Sequence, residues 1–125
     1  METRAWTFAL LALVGSSTVA LADISGGPVF GGGAYQTYAR CMVFNAGPGV
    51  ATISSHAITY GDGTIVALNF DSCGATLGAF RSCVIGGPVQ GFSTSCRFLT
   101  SGGNLRGTIS LYDFSDYLLH SSDMR

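Results

Sequence analysis

Three stretches of the chain alternate between apolar and polar residues, as a β-strand with one buried face does. They cover residues 37–45, 92–100 and 105–113, and segments with turn-forming residues follow them at 45–49, 101–104 and 114–116. We therefore expect three strands that end in turns. The alternation predicts these core-facing residues: Ala39, Cys41 and Val43; Phe92, Thr94, Cys96 and Phe98; and Leu105, Ile109 and Leu111.

A fourth pattern centres on Gly61-Asp62-Gly63, the strongest turn signal in the chain. Two apolar-rich runs flank it within Val50 to Asp71, and together they predict a β-hairpin. Asp-Gly is a favoured pair for a two-residue type I′ turn, so we favour the register that places Thr59 opposite Val66. A three-residue loop is the alternative, and it would shift the pairing by one residue.

The register decides which side chains of this hairpin are buried. The two-residue turn predicts a core-facing set of Ile53, Ala57, Val66, Leu68 and Phe70. It leaves a second group on the outer face: His56, Ile58, Tyr60, Ile65 and Asn69. We interpret this group as a candidate interaction face anchored by Tyr60, because contiguous apolar residues with polar neighbours are typical of such surfaces. A covering loop or tail is the simpler alternative, and the three-residue loop would bury His56, Ile58 and Tyr60 against Val66 and Leu68.

The whole chain indicates an all-β fold. Further short strands are expected at residues 80–85 and 117–119, and no long helical pattern is present. Six or seven short strands at regular spacing predict an antiparallel, immunoglobulin-like sandwich. A small Greek-key barrel is the alternative.

The N-terminus has the pattern of a secretory signal. An apolar run at residues 5–14 follows Arg4 and precedes Ala20-Leu21-Ala22, which is a small-residue cleavage site. This predicts a signal peptide at residues 1–22, no membrane span after its removal, and a secreted, periplasmic or cell-surface protein. Residues 23–36 are rich in glycine and are expected to form a flexible lead-in to a β-sandwich domain at residues 37–125.

Four cysteines in a small exported domain predict two disulfides. Cys41 and Cys96 both face the expected core, and Cys73 and Cys83 flank one loop, so we predict the pairs Cys41–Cys96 and Cys73–Cys83. Structural zinc is the alternative. It fits poorly because no two cysteines have the close spacing with which one turn presents two ligands.

Composition excludes several classes of function. From Asp23 onward the chain has five arginines, six aspartates, no lysine and no glutamate. A net charge of −1 argues against nucleic acid and anionic membranes as partners, because both require basic patches.

Motifs for catalysis are also missing. His56 and His120 are the two histidines, and no serine stands in a nucleophile elbow. The chain lacks a phosphate-binding loop and an EF-hand, so we expect no catalytic residues, no metal and no cofactor.

Several segments resemble a group of small exported bacterial β-sandwich proteins that generally have no assigned activity. They are the segments at 41–47 (Cys-Met-Val-Phe-Asn-Ala-Gly), 70–74 (Phe-Asp-Ser-Cys-Gly), 81–83 (Arg-Ser-Cys) and 106–111 (Arg-Gly-Thr-Ile-Ser-Leu), with the closing Arg125. The resemblance implies a fold and export, and it implies no catalytic or binding residue.

Two functions from different classes remain as hypotheses. The first is a non-catalytic extracellular module that binds a protein, a glycan or the cell surface through one sheet face or its loops. The second is a self-associating structural subunit, whose Gly-rich N-terminal segment adds as a strand to the next copy. A small hydrolase with a site assembled from distant residues is the third alternative.

Overall fold

The computed structural model describes residues 22–32 and 35–125, which form an all-β structure. Its strands are β1 (Ala22–Val29), β2 (Tyr38–Asn45), β3 (Ala51–Tyr60), β4 (Phe70–Asp71), β5 (Thr76–Leu77), β6 (Ser82–Pro88), β7 (Thr94–Ser101), β8 (Leu105–Tyr112) and β9 (Leu118–Met124). All the pairings are antiparallel. The order in the four-stranded sheet is β1-β7-β3-β5, and in the five-stranded sheet it is β4-β6-β2-β8-β9. The prediction of a two-sheet antiparallel β fold is confirmed.

Strands β2, β7 and β8 form the centre of the core, because their alternating apolar residues point between the sheets. The following side chains are almost fully buried: Ala39, Cys41, Val43, Cys96, Phe98, Ile109 and Leu111. Burial of one such large side chain contributes roughly 1.5–3 kcal/mol. The predicted facing is confirmed for these strands, except that Phe92 precedes β7 and is exposed.

Two disulfides connect the pairs that the sequence predicts. Cys41 of β2 joins Cys96 of β7 across the two sheets, with a Cα–Cα distance of 6.2 Å. Cys73 joins Cys83 of β6 at a Cα–Cα distance of 4.9 Å and closes the loop that contains β5. The predicted pairing is confirmed, and the alternative of structural zinc is wrong for these four residues.

The expected flexible lead-in is wrong for residues 23–29. They lie in β1, which pairs with β7, and the backbone of Ser25 exchanges two 2.9 Å hydrogen bonds with Arg125. Ile24 and Val29 are buried, so two apolar side chains stabilise a glycine-rich strand. The folded domain therefore begins at or before residue 23 and not at residue 37. Residues 1–21 of the expected signal peptide lie outside the described residues.

The favoured register of the Gly61–Gly63 hairpin is also wrong. Thr59 pairs with Ile65, the Tyr60 amide donates to the Thr64 carbonyl at 2.9 Å, and the Val66 amide donates to the Ile58 carbonyl at 2.8 Å. This is the three-residue loop. A β-bulge at Ser54 explains it, because the extra residue lets both Ile53 and Ile58 face the core.

The second arm of the predicted hairpin leaves β3 after Val66 and crosses to the other sheet. There Phe70 pairs with Gly86 of β6, and Phe70 is 54% exposed and not part of the core. A Cβ at Gly87 would lie 2.5 Å from the carbonyl oxygen of Ala67, so glycine permits this close crossing. Val66 is buried, while Leu68 is half-buried against the core.

The strand directions place the loops at two ends of the sandwich. We call residues 30–32, 35–37, 61–63, 89–93 and 113–117 the loop end, because Val29 and Tyr60 both pair with Thr94, and Tyr112 pairs with Tyr38 beside it. Three of the other connections, at residues 46–50, 78–81 and 102–104, form the opposite end.

The opposite end is held together by the fully buried side chain of Asn45. Its Nδ2 donates to the carbonyls of Gly49, Leu77 and Gly78 at 2.8, 3.1 and 3.3 Å. Its Oδ1 accepts from the amides of Gly47 and Asn104, both at 3.1 Å. One amide group therefore links all three loops of this end.

Candidate functional site

The loop end exposes a group of aromatic side chains. Each has more than half of its surface exposed, and they are Phe30, Tyr35, Phe92, Phe114 and Tyr117. The opposite end exposes only two large apolar residues among its described positions, Val50 and Phe80. Clustered exposed aromatic residues are what distinguishes an interaction surface from scattered surface apolar groups. The loop end is therefore the candidate site.

The turn between β8 and β9 is held in one conformation by Asp113. Its Oδ1 accepts hydrogen bonds from the amides of Ser115 and Tyr117, at 2.8 and 3.0 Å. The Asp113 amide in turn donates to the Tyr117 carbonyl at 3.0 Å. This ordered tip displays Phe114 with 79% and Tyr117 with 72% of their surface exposed. A backbone held in this way loses little further conformational entropy on binding.

Gln36 joins two further segments of the loop end. It is 2% exposed, and its Nε2 donates to the carbonyls of Gln90 and Phe92 at 2.9 and 2.8 Å. Its Oε1 accepts from the Gly31 amide at 2.8 Å. The side chain thus holds the β1–β2 connection against the β6–β7 connection. The sequence does not single out this residue, because a lone glutamine in a glycine-rich segment carries no pattern.

A groove of about 610 Å³ lies beside these segments, between the 61–63 turn and residues 90–93. Tyr60 forms one wall, with its ring edge-on to Phe92 at a centroid distance of 5.7 Å. The Tyr60 hydroxyl accepts from the Gln90 amide at 2.9 Å, and the Gly61 amide donates to the Ser93 carbonyl at 3.0 Å. The groove is therefore built on ordered backbone.

The loop end carries only negative charge. Asp62, Asp113 and Asp116 lie in its segments, and these segments contain no lysine or arginine. The Thr64 amide donates to Asp62 Oδ1 at 2.9 Å, and hydrogen bonds from the Thr64 amide and hydroxyl lower the pKa of this carboxyl. The site is thus an acidic, aromatic surface at neutral pH.

The outer face of the five-stranded sheet has the opposite charge. The Arg40 guanidinium lies 5.3 Å from the centroid of the Tyr112 ring, and Met42 and Phe44 follow Arg40 along β2 with about 40% of their surfaces exposed. A second groove, of about 560 Å³, lies at the far end of this face and is lined by Met42, Phe44, Leu105, Arg106, Asp123 and Arg125 among others. We call it the basic groove, because two arginines and one aspartate line it.

The five residues of the predicted interaction face do not form one surface. Ile58 is fully buried, Tyr60 is half-buried and lines the groove of the loop end, and Ile65 is 72% exposed. Asn69 lies beside β6 in the five-stranded sheet, where it accepts a 2.7 Å hydrogen bond from the Tyr38 hydroxyl of β2. The predicted face is wrong. The bulge at Ser54 reverses the facing of the β3 residues that follow it, so that Ile58 points into the core.

His56, the remaining member, pairs with a carboxylate. Its Nε2 lies 2.7 Å from Asp71 Oδ2, and its ring stacks on Phe98 at a centroid distance of 5.8 Å. The hydrogen bonds of the described residues place no serine hydroxyl on His56, and all four cysteines are in disulfides. The pair therefore connects β3 of the four-stranded sheet to β4 of the five-stranded sheet.

Other chemistry-bearing groups of the described chain lie apart. His120 is exposed on β9, away from His56, and no three His, Cys, Asp or Glu side chains are grouped as a metal site within residues 22–32 and 35–125. The same residues include no helix that is long and apolar enough to cross a membrane.

Comparison of the chain with protein-family models, with curated proteins and with solved structures finds no match. The function of the protein is therefore inferred from the geometry of the loop end.

Proposed function

We propose that the protein is a non-catalytic extracellular module that binds a protein partner through the loop end. The observation that carries the proposal is the ordered tip at residues 113–117, which exposes Phe114 and Tyr117 at the same end of the sandwich as three further exposed aromatic rings. Aromatic residues are enriched in protein interfaces, where rigid rings supply contact area at low entropic cost.

The composition of the site supports a protein partner over a glycan. Loops rich in Tyr, Phe, Gly and Ser on a two-sheet scaffold resemble antibody paratopes in their physics, because the scaffold fixes the loops and the aromatic rings supply the contacts. The buried Gln36 uses both polar atoms of its side chain in hydrogen bonds inside the protein. It is thus not free to hydrogen-bond sugar hydroxyls.

Export remains part of the proposal. Two disulfides are compatible with an oxidising compartment outside the cytosol. The predicted signal peptide supports the same location. Intact-mass measurement of the protein recovered outside the cell should show that residues 1–22 have been removed.

The alternative, in which the Gly-rich segment adds to a neighbouring copy, has less support. Residues 22–29 pair with β7 of their own chain, and Ser25 also bonds Arg125 on the other edge of β1. The part of the segment that would be donated is thus already paired.

The test is a binding comparison between two matched variants. Phe114→Ser with Tyr117→Ser removes the aromatic residues of the tip, and Val50→Ser with Phe80→Ser removes a similar exposed apolar pair at the opposite end. Wild type and both variants are immobilised and exposed to the extracellular protein fraction of the producing organism. A captured protein is then purified and titrated against each.

We expect the partner to bind wild type and the opposite-end variant, and to lose at least roughly tenfold in affinity for the tip variant. Equal affinity for the tip variant, or the absence of any protein partner including a second copy, would contradict the proposed function. Thermal unfolding of each variant checks that the fold is intact.

A further inference from the structure

We infer that the partner of the loop end is a second copy of this chain, which docks the tip at residues 113–117 into its basic groove. This inference rests on the proposed function and names the partner. The charges are complementary, since the tip carries Asp113 and Asp116, and in the groove the two arginines, Arg106 and Arg125, outnumber the one aspartate, Asp123. Arg40 adds a third cation on the same face.

Apolar surfaces also match. The tip exposes Phe114 and Tyr117, and the groove exposes Met42 and Phe44 beside its arginines. Arg and aromatic residues are enriched where proteins bind one another, and Arg guanidinium groups stack well on aromatic rings. The tip therefore brings carboxylates and rings to a surface that can pair with both.

The position of the two surfaces determines the kind of assembly. Both belong to the β8–β9 hairpin, with the tip at one end and the groove around Leu105 and Arg106 at the other. The eight residues of β8 separate them by roughly 23 Å at about 3.3 Å per residue. The tip of one copy therefore cannot reach the groove of the same copy. Contacts between two different surfaces are heterologous and produce open chains of copies unless the rotation closes a ring.

The experiment uses two variants that each remove one surface. The tip variant is Phe114→Ser with Tyr117→Ser, and the groove variant is Phe44→Ser with Arg106→Asp. Light scattering measures molar mass as the concentration of each mature, oxidised protein rises from on the order of 1 μM to 1 mM. The molar mass of wild type is expected to rise beyond that of a dimer, and each variant alone is expected to stay a monomer.

Mixing the variants is the decisive step. The groove variant keeps its tip and the tip variant keeps its groove, so an equimolar mixture is expected to form a one-to-one dimer and to stop there. An isologous interface would give no such complementation. Asp116→Asn is a milder tip variant that removes one charge and retains a side chain tolerant of the positive φ of 61° at this position. This substitution is expected to weaken the association between copies several-fold relative to wild type.

Three results would overturn the inference. They are a wild type that stays monomeric over the whole range, association that persists in either double variant, and variants that fail to complement each other. If wild type is monomeric but the tip variant loses a different protein partner, head-to-tail assembly is wrong and the proposed function stands. If no partner depends on the tip, both are wrong.

Discussion

The two ends of the sandwich are both held by a buried amide side chain, but they present different surfaces. At each end one buried amide side chain gathers the loops, Asn45 at the opposite end and Gln36 at the loop end. Asn45 links all three loops of its end, whereas Gln36 links only the β1–β2 and β6–β7 connections. The 61–63 turn is held by the hydrogen bond from Gly61 to Ser93, and the 113–117 tip by hydrogen bonds within itself. The opposite end is thus a closed structural cap, and the loop end displays aromatic rings.

The largest effect on stability is expected from a substitution at the opposite end. Asn45→Ala removes five hydrogen bonds and leaves the buried Gly47 amide without its acceptor. An unsatisfied buried group costs about 1–3 kcal/mol, so we expect the free energy of unfolding to fall by about 3 kcal/mol or more. Urea unfolding measures it. Binding through the loop end, tested under conditions where the variant is folded, should be unchanged, and a loss of binding would break the comparison.

Gln36→Ala should be the milder counterpart at the loop end. It removes the hydrogen bonds to Gly31, Gln90 and Phe92, and part of this region is open to water, so we expect a loss of about 1–2 kcal/mol. Hydrogen exchange should become faster in residues 89–93 and stay unchanged in residues 46–50. Equal acceleration at both ends would show that the ends are not independent.

A pH-dependent contribution to the free energy of unfolding is expected at Asp71, which lies between the two ends. Partial desolvation opposes ionisation of its carboxyl, but hydrogen bonds from His56 and the Cys73 amide outweigh it and lower the pKa below its ordinary value. A depressed folded-state pKa stabilises the fold above the unfolded value, and the contribution is lost as the pH falls through the folded value. Asp71→Asn should therefore cost stability at neutral pH and almost nothing at about pH 2.

The magnitude of this effect is small, because 37% of the Asp71 side chain is exposed. We expect less than about 1 kcal/mol at neutral pH after solvent screening. Urea unfolding of wild type and variant at both pH values measures it. A difference that is larger in acid would contradict the assignment of the low pKa to the folded state.

The smallest effect on stability is expected at the tip. Phe114→Ser with Tyr117→Ser changes two exposed side chains, so the free energy of unfolding should stay within about 0.5 kcal/mol of wild type. Partner binding should nevertheless be lost. A large destabilisation would mean that the two rings stabilise the folded protein. The loop end would then be a structural end like the opposite one.

The sequence predicts the centre of this fold better than its edges. Strict alternation identifies β2, β7 and β8, and their facing identifies the Cys41–Cys96 bridge. It fails at β3, because Ile53 and Ile58 are five residues apart and a two-residue period cannot bury both without a bulge. It fails at β1 as well, where pairing and two buried side chains outweigh the entropy of glycine.

The loop end is predictable only in part. The hairpin pattern selects Tyr60 as the anchor of an interaction face, and Tyr60 lines a groove at the loop end, although with different neighbours. The pattern does not select Phe92, Phe114 or Tyr117, because residues far apart in the sequence meet at one end only through the strand order. No local pattern contains that information.

The extra residue at Ser54 acts as a change of phase in β3. Upstream of it the strand buries Ile53, and downstream it buries Ile58 and turns Tyr60 toward Phe92. A deletion of Ser54 would leave Ile53 and Ile58 four residues apart, so both would still face the core, now in a regular strand with one continuous register along β7. Substitutions of Ser54 should also be tolerated, because the residue is exposed and what it contributes is the phase of the strand and not a side chain.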